Sequence, residues 1–174
     1  AITVRAARAI VDAAARSGAV LATAENYRRD PPNRLARAVV DKELLGNLHL
    51  MMQTDLGGDH NVIVSPWRHI REAGSLALDM GVHYADIFSY FLGDLESVVG
   101  TTFVAEPTRA LLPGSSPPPG IEEVSPGVMN ATGDDSLVAL LYSAAGVPAQ
   151  LSFIPSGPGH HWLQRSVQGR EGSM

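Results

Sequence analysis

The sequence predicts an α+β domain in which a largely antiparallel, open-faced sheet carries helices packed on one face. Two observations lead there. Helix-like and strand-like patterns alternate through the first hundred or so residues and strands dominate thereafter, the order of an α+β fold rather than of a repeated βαβ unit. The runs Leu137–Tyr142 and Ala149–Ile154 are β-rich and joined by Ser143-Ala144-Ala145-Gly146-Val147-Pro148, which reads as a hairpin. At 174 residues and 45% hydrophobic content the chain can bury one core, so residues 1–174 are expected to form a single domain.

Taken in order, Thr3 is placed to cap a helix to about Ser17, with Val4, Ala7, Val11 and Ala14 on one stripe and Gly18 as the stop. Ala19–Ala24 is a short apolar run before the polar Glu25-Asn26-Tyr27-Arg28-Arg29, the pattern of a buried strand entering a loop. Asp30-Pro31-Pro32 starts a second helix, expected to carry Leu35, Val39 and Leu44 inward and to end at Gly46. Leu48–Leu56 reads as a strand broken by Gly57-Gly58-Asp59, and Ser65-Pro66-Trp67-Arg68 as loop. A helix containing Asp79 and His83 follows and ends at Gly93-Asp94, with Leu95–Val104 β-rich beyond it. Residues 106–130 hold Pro113, Pro117, Pro118, Pro119 and Pro126 among Gly and Ser, and are expected to be a flexible surface loop. Asp134-Asp135 is the polar entry to the hairpin, Gly157-Pro158-Gly159 breaks it, and Trp162–Val167 is a last strand.

Composition removes several classes of function. A formal net charge of −5 provides no attraction for nucleic acid or an anionic membrane, and the N-terminal arginines alternate with acids as on a solvated helix face. No apolar run is long enough for a bilayer and no signal-peptide pattern opens the chain, so no membrane partner is expected. The absence of cysteine rules out disulfides, thiolate zinc sites and cysteine nucleophiles, and fits a cytoplasmic location. His49, His60 and His69 lack paired ligand spacing, so no metal site is expected.

Chemistry concentrates at Asp79 and His83. On a helix, residues four apart lie one above the other, and a carboxylate beside an imidazole can orient it for proton transfer near neutral pH. Spacing alone is equally that of a surface ion pair. Asn26, Tyr27 and Arg28 follow an expected strand end, where α/β enzymes place ligand contacts, although an exposed polar turn has the same composition. His160 and His161 could sit on the sheet edge over the site, where one of them would reach substrate; both also suit an ordinary loop.

Four segments in order bring a family into view: Glu25-Asn26-Tyr27-Arg28-Arg29-Asp30-Pro31; Leu45-Gly46; Trp67-Arg68; and Asp79-x-Gly81-x-His83-x-x-Asp86 closing on Leu92-Gly93. With the looser Asp134-Asp135-Ser136 and Gly169-Arg170-Glu171-Gly172-Ser173, the chain resembles the C-terminal domain of the Gfo/Idh/MocA oxidoreductases, which use NAD(P) on sugars, cyclitols and related polyols. The resemblance implies that His83 is the catalytic base or acid and that Asp79 binds a substrate hydroxyl or fixes the imidazole. It further implies that Asp86 supports them, that Asn26, Tyr27 and Arg28 face substrate, and that Trp67 and Arg68 contact the cofactor. NAD or NADP would be bound mainly by an N-terminal Rossmann domain, whose glycine fingerprint this sequence lacks; Gly114–Gly120 has no strand-to-helix setting. The family's Glu-Lys-Pro lysine would fall just before Ala1, and the last strands usual in the family are missing, so the resemblance implies a fragment that is inactive alone. The alternative is a non-catalytic α+β interaction module. Either way the open sheet face is expected to form a homo-oligomer, with Met51, Leu137, Leu141, Leu151 and Phe153 as its candidate residues.

Overall fold

A computed structural model describes residues 3–156 and 159–174, so the break expected at Gly157-Pro158 lies outside the described residues. Its centre is β1 (Leu48–Leu56), bounded as the sequence predicts. β1 runs parallel to β7 (Pro148–Ile154) and antiparallel to β8 (Trp162–Gly169). β6 (Ser136–Ser143) pairs antiparallel with β7 as the expected hairpin, and β2 (Leu95–Phe103) pairs antiparallel with β6 at the edge. The five-stranded sheet thus has the order β2-β6-β7-β1-β8, antiparallel except for one pair. The turn leaving β1 requires glycine: Gly58 has φ +148°, and a Cβ there would meet the Pro155 carbonyl oxygen at 2.3 Å.

One face of the sheet is covered by α3 (Leu76–Leu92), whose Tyr84, Ile87, Phe88 and Phe91 pack on Met51, Leu141, Leu151 and Phe153. The four latter residues were expected on the open face. They lie instead in the helix-covered core, with Leu137 packed against it. Alternation assigns strand residues to two faces but does not say which face a helix will cover, and an error of one exchanges the sets. The open face carries Leu50, Met52 and Leu56 of β1 with Val138, Leu140 and Tyr142 of β6.

Further expectations are corrected. α1 (Val4–Ser17) has its predicted Thr3 cap and Gly18 stop, yet none of its residues is buried. Ala19–Ala24 is not a strand; it pairs with no strand among the described residues, and Val20 is 98% exposed. Apolar composition makes a strand only where another edge completes its hydrogen bonds. α2 (Pro31–Asp41) starts at Asp30 and turns Val39 to the core as expected, together with Ala36 and Val40, but it ends before Gly46 and leaves Leu35 exposed, with Leu44 exposed beyond its end. Pro66–His69 is a short 3₁₀ turn rather than plain loop. Among the described residues no helix is long and apolar enough to cross a membrane.

Residues 106–130 also depart from the expected loop. They hold a small antiparallel sheet of β3 (Thr108–Ala110), β4 (Glu123–Ser125) and β5 (Val128–Asn130), with Met129 buried. Arg109 ties it down. Its guanidinium donates to Asp135 Oδ2 at 2.7 Å, with both side chains 0% exposed. Asp135 thus stands at the entry to β6 as expected, but fully buried rather than at the surface. Burial opposes its ionisation, but hydrogen bonds from the Ala105 and Glu106 amides, Ser136 Oγ and Arg109 outweigh this and lower its pKa. Nearby, buried His69 accepts the Ile63 amide on Nε2 at 2.9 Å. Burial, with the Arg109 charge, pushes its imidazole down from 6.5 to about 4.

The sign of the consequence follows. As pH falls below about 6.5 the unfolded chain protonates this ring while the folded one stays neutral, so stability is complete above that pH and lost towards pH 4. The loss is on the order of 3 kcal/mol. Urea unfolding between pH 7 and 4 should show this slope flattened in His69→Gln, which keeps an acceptor but does not titrate. An equal slope in both proteins would assign the acid sensitivity elsewhere.

Candidate active site

Asp79, His83 and Asp86 stand at i, i+4 and i+7 on α3 and share one face, as the sequence implies. The helix opens on Ser75, whose Oγ accepts the Leu78 amide, and Ala77 N–H donates to the Asp134 carbonyl at 2.9 Å. Asp79 lies in the first turn, where the helix dipole favours an anion.

Each of the three is engaged by a different segment. Arg68 Nε donates to Asp79 Oδ2 at 2.6 Å. His83 Nδ1 lies 2.6 Å from Glu25 Oε2. Arg28 grips Asp86 through both Nε and Nη2. Asp79 is thus held by Arg68, and the group that orients the imidazole is Glu25. An ionised carboxylate only accepts, so Glu25 places the proton on Nδ1 and leaves Nε2 of the neutral ring as a lone-pair acceptor. The Tyr27 ring stacks on His83 with centroids 4.7 Å apart, fixing the plane of the imidazole.

Of the residues expected around substrate, Tyr27 touches His83 directly. Arg28 is committed to Asp86 with its charge over the Tyr90 ring, and the Asp86 hydrogen bond raises its pKa. Asn26 is exposed and makes no side-chain cap. Trp67 is 43% exposed, and the Arg68 guanidinium lies 4.8 Å from the centre of its ring. Arg68 therefore belongs to the Asp79 pair as well as to the indole. The preceding Val64 has φ +61°, a strained value for a β-branched residue, at the turn that delivers this pair.

Behind Tyr27 the structure assembles polar residues that pattern reading missed. Asp55, near the end of β1, accepts from the Tyr84 hydroxyl on Oδ2 and lies 2.7 Å from His161 Nε2 through Oδ1. Burial, then this hydrogen bond, raises the Tyr84 pKa. His160 and His161 lie in the exposed loop before β8, and of the two His161 meets Asp55. Arg165 donates to Gln53 Oε1 at 2.7 Å and to Asn33 Oδ1. Asp55 borders two cavities, one of about 310 Å³ reaching Met80, Asp59 and His161, the other of about 460 Å³ reaching Tyr27, Asn33, Gln53 and Arg165. One signal was available: Gln53 and Asp55 alternate with Met51, which puts two polar residues in a strand's buried register.

A family model described as the GFO/IDH/MocA C-terminal domain matches residues 33–174. The chain belongs to that family. Over 174 residues it is 26% identical to levoglucosan dehydrogenase of Pseudarthrobacter phenanthrenivorans, a match covering 96% of this chain and 44% of that protein. Among solved structures, levoglucosan dehydrogenase in complex with NADH superposes with a TM-score of 0.77 at 22% identity, covering 99% of this chain and 44% of the other. An oxidoreductase domain protein from Kribbella flavida gives 0.75 at 23% identity (99% and 46%), and an NAD binding oxidoreductase from Klebsiella pneumoniae 0.73 at 18% (97% and 43%). At these identities the structural likeness is one of fold. The GFO/IDH/MocA chain described here spans less than half the length of these relatives.

The Arg28–Asp86 pair makes a measurable claim. A double-mutant cycle with Arg28→Ala and Asp86→Ala, read by urea unfolding, should give a coupling of about 0.5–1 kcal/mol, discounted for the partial exposure of Arg28 and reduced in molar salt. Zero coupling would mean that the Arg28–Asp86 pair does not help to hold this loop on α3.

Proposed function

We propose that this chain is the substrate-binding and catalytic-base domain of an NAD(P)-dependent oxidoreductase acting at a secondary alcohol or ketone of a sugar, cyclitol or related polyol. The observation that carries this reading is the Glu25–His83 contact: a buttressed imidazole with Nε2 as its acceptor, one helical turn from a carboxylate held on a single oxygen. Family membership supports the oxidoreductase class, and the levoglucosan dehydrogenase relative has been solved in complex with NADH and L-sorbose.

The residues present fit the edge of a dinucleotide site. Trp67 offers a half-exposed flat ring backed by a guanidinium, suited to lie against a nicotinamide or ribose, whereas Arg68, spent on Asp79 and Ser65, is a poor free phosphate ligand. When bound, the nicotinamide supplies the hydride acceptor or donor. In alcohol oxidation His83 Nε2 takes the hydroxyl proton while Glu25 stabilises the ring as it becomes charged, and in reduction the proton returns by the same path. Asp79 Oδ1, free of the Arg68 Nε contact, accepts from a neighbouring hydroxyl and orients the substrate. Nucleotide binding is assigned to a separate module, and the exposed apolar residues of α1 and Val20 and Leu21 suit its docking surface.

The open sheet face supports a second role beside the first. Its exposed Val138, Leu140 and Tyr142 form an apolar strip on β6, separated from Met52 of β1 by Gln150 of β7, and the strip is suited to a homo-oligomer contact. Leu140→Lys should shift sedimentation of a wild-type oligomer to monomer; a monomeric wild type would remove this role.

In the protein with its nucleotide-binding domain, His83→Ala should lower kcat by about 10²–10⁴-fold, the contribution of a positioned acid–base group. Unchanged turnover removes His83 from the chemistry. The present chain should show no NAD(P)H binding in a fluorescence titration; micromolar binding would overturn the division of labour.

A further inference from the structure

Trp67 and Arg68 sit on a turn that a buried ring closes. His69 is 0% exposed, and its Nε2 accepts the Ile63 amide, six residues back, at 2.9 Å. Between these two ends the backbone is tightly wound. Ser65 N–H donates to the Ile63 carbonyl at 2.7 Å, Val64 is held at φ +61°, and Arg68 N–H donates to the Ser65 carbonyl at 3.2 Å. Both flanks are anchored outside the turn. Val62 N–H donates to the Ala110 carbonyl at 2.8 Å, and the His69 carbonyl accepts the Thr132 and Gly133 amides, each at 2.9 Å. The imidazole links these anchored flanks across the exposed residues between them.

The ring can do this in one state only. With Nε2 as acceptor it is neutral and carries its proton on Nδ1, which has no partner among the described residues. A ring turned over would present a carbon to the Ile63 amide. Protonation sets donor against donor. It also adds charge to a ring already under the fields of Arg109 from β3 and Arg68 from the turn itself. Asp135, the carboxylate acting on the ring, has both oxygens engaged by Ala105, Glu106, Ser136 and Arg109. An apolar side chain would pack here without the cost of an unpaired N–H, so the ring is explained by its acceptor.

We propose that His69 is the positioning residue of this turn: by holding Ile63, its imidazole sets the Trp67 indole and keeps the Arg68 guanidinium on Asp79. The device is acid-sensitive. The closed ring is held near 4 and the freed ring returns to 6.5, so closure is complete above about pH 6.5 and lost towards pH 4. Opening frees residues 63–68 and leaves the anchored flanks, hence the fold, in place. The inference rests on Trp67 as a cofactor contact only for its effect on binding; the state of the turn is read without cofactor.

Trp162→Phe leaves Trp67 as the only tryptophan, and its fluorescence reports the turn. Its emission and iodide quenching should change with a midpoint between pH 6.5 and 4, while far-UV circular dichroism keeps its native value. His69→Gln offers Ile63 an oxygen that does not titrate and should abolish the transition, which excludes carboxylates such as Asp79 as its source. His69→Leu keeps bulk without the acceptor and should show the acid signal already at pH 7. Should a variant fail to fold, the wild-type imidazole nitrogen shifts are measured: Nδ1 protonated and Nε2 bare at pH 7, with double protonation following the Trp67 signal. In the protein with its nucleotide-binding domain, His69→Leu should raise the Kd for NADH or NADPH, whichever wild type binds, by about tenfold, and His69→Gln should restore it. The proposal is overturned if His69→Leu matches wild type, if His69→Gln keeps the acid transition, if Trp67 responds only as the dichroism is lost, or if Nε2 carries the proton at pH 7. An opened turn with unchanged cofactor binding upholds His69 in this role and removes Trp67 from the nicotinamide.

Discussion

The site depends on a clasp. Residues 19–26 have no regular structure and bury nothing of their own, yet Glu25, Tyr27 and Arg28 each engage the same face of α3. Any one such contact on a partly exposed surface contributes about 0.2–1 kcal/mol, little against the entropy of ordering a loop. Three within four residues share that ordering cost, because fixing Tyr27 on His83 largely fixes its neighbours. The Asn33 amide adds a fourth tie by donating to the Tyr27 carbonyl. Without the clasp, His83 would keep its helix but lose the carboxylate that sets its tautomer and the ring that sets its plane.

The same clasp makes a crowded anionic face tolerable. Asp79, Asp86 and the incoming Glu25 surround one imidazole, and like charges at this spacing repel by a few tenths of a kcal/mol per pair. Arg68 and Arg28 neutralise the two outer carboxylates, while Glu25 is left to the ring. The imidazole therefore has one anionic partner rather than three. That partner is most stabilising when the ring is charged, so its effect follows the protonation state through the proposed reaction.

What was legible in the sequence was local. Thr3 and Gly18, the bounds of β1, the ends of α3 and the β6–β7 hairpin all follow from caps, breakers and alternation within a few residues. What failed was relational. The sheet face of Met51, Leu141, Leu151 and Phe153 depends on where α3 lands; Ala19–Ala24 lacks the edge that would make it a strand; and β3–β5 are held by Arg109 reaching Asp135, 26 residues away. The site divides along the same line. His83, Asp79 and Tyr27 stand out by motif, but the i, i+4 rule pairs Asp79 with His83, whereas the folded chain brings their partners from 11 and 58 residues away.

Gln53 and Asp55 show how a sequence reports a site through what it fails to optimise. Both occupy the inward register of a central strand, beside Met51 and opposite Leu151 and Phe153 in β7. Apolar residues there would extend the core, at about 25 cal/mol per Å² buried. Polar ones cost about 1–3 kcal/mol for each group left unsatisfied. Asp55 offsets its cost through Tyr84 and His161, and the Gln53 carbonyl does so through Arg165. The Gln53 NH₂ does not, and it is aimed by neighbours that are themselves fully engaged. A packing role would be served as well by Leu or Met at that position. An amide whose carbonyl is held by Arg165, and through it by Asn33, is an expense that stability alone does not explain, and it lines the same cavity as Tyr27, the ring stacked on the imidazole.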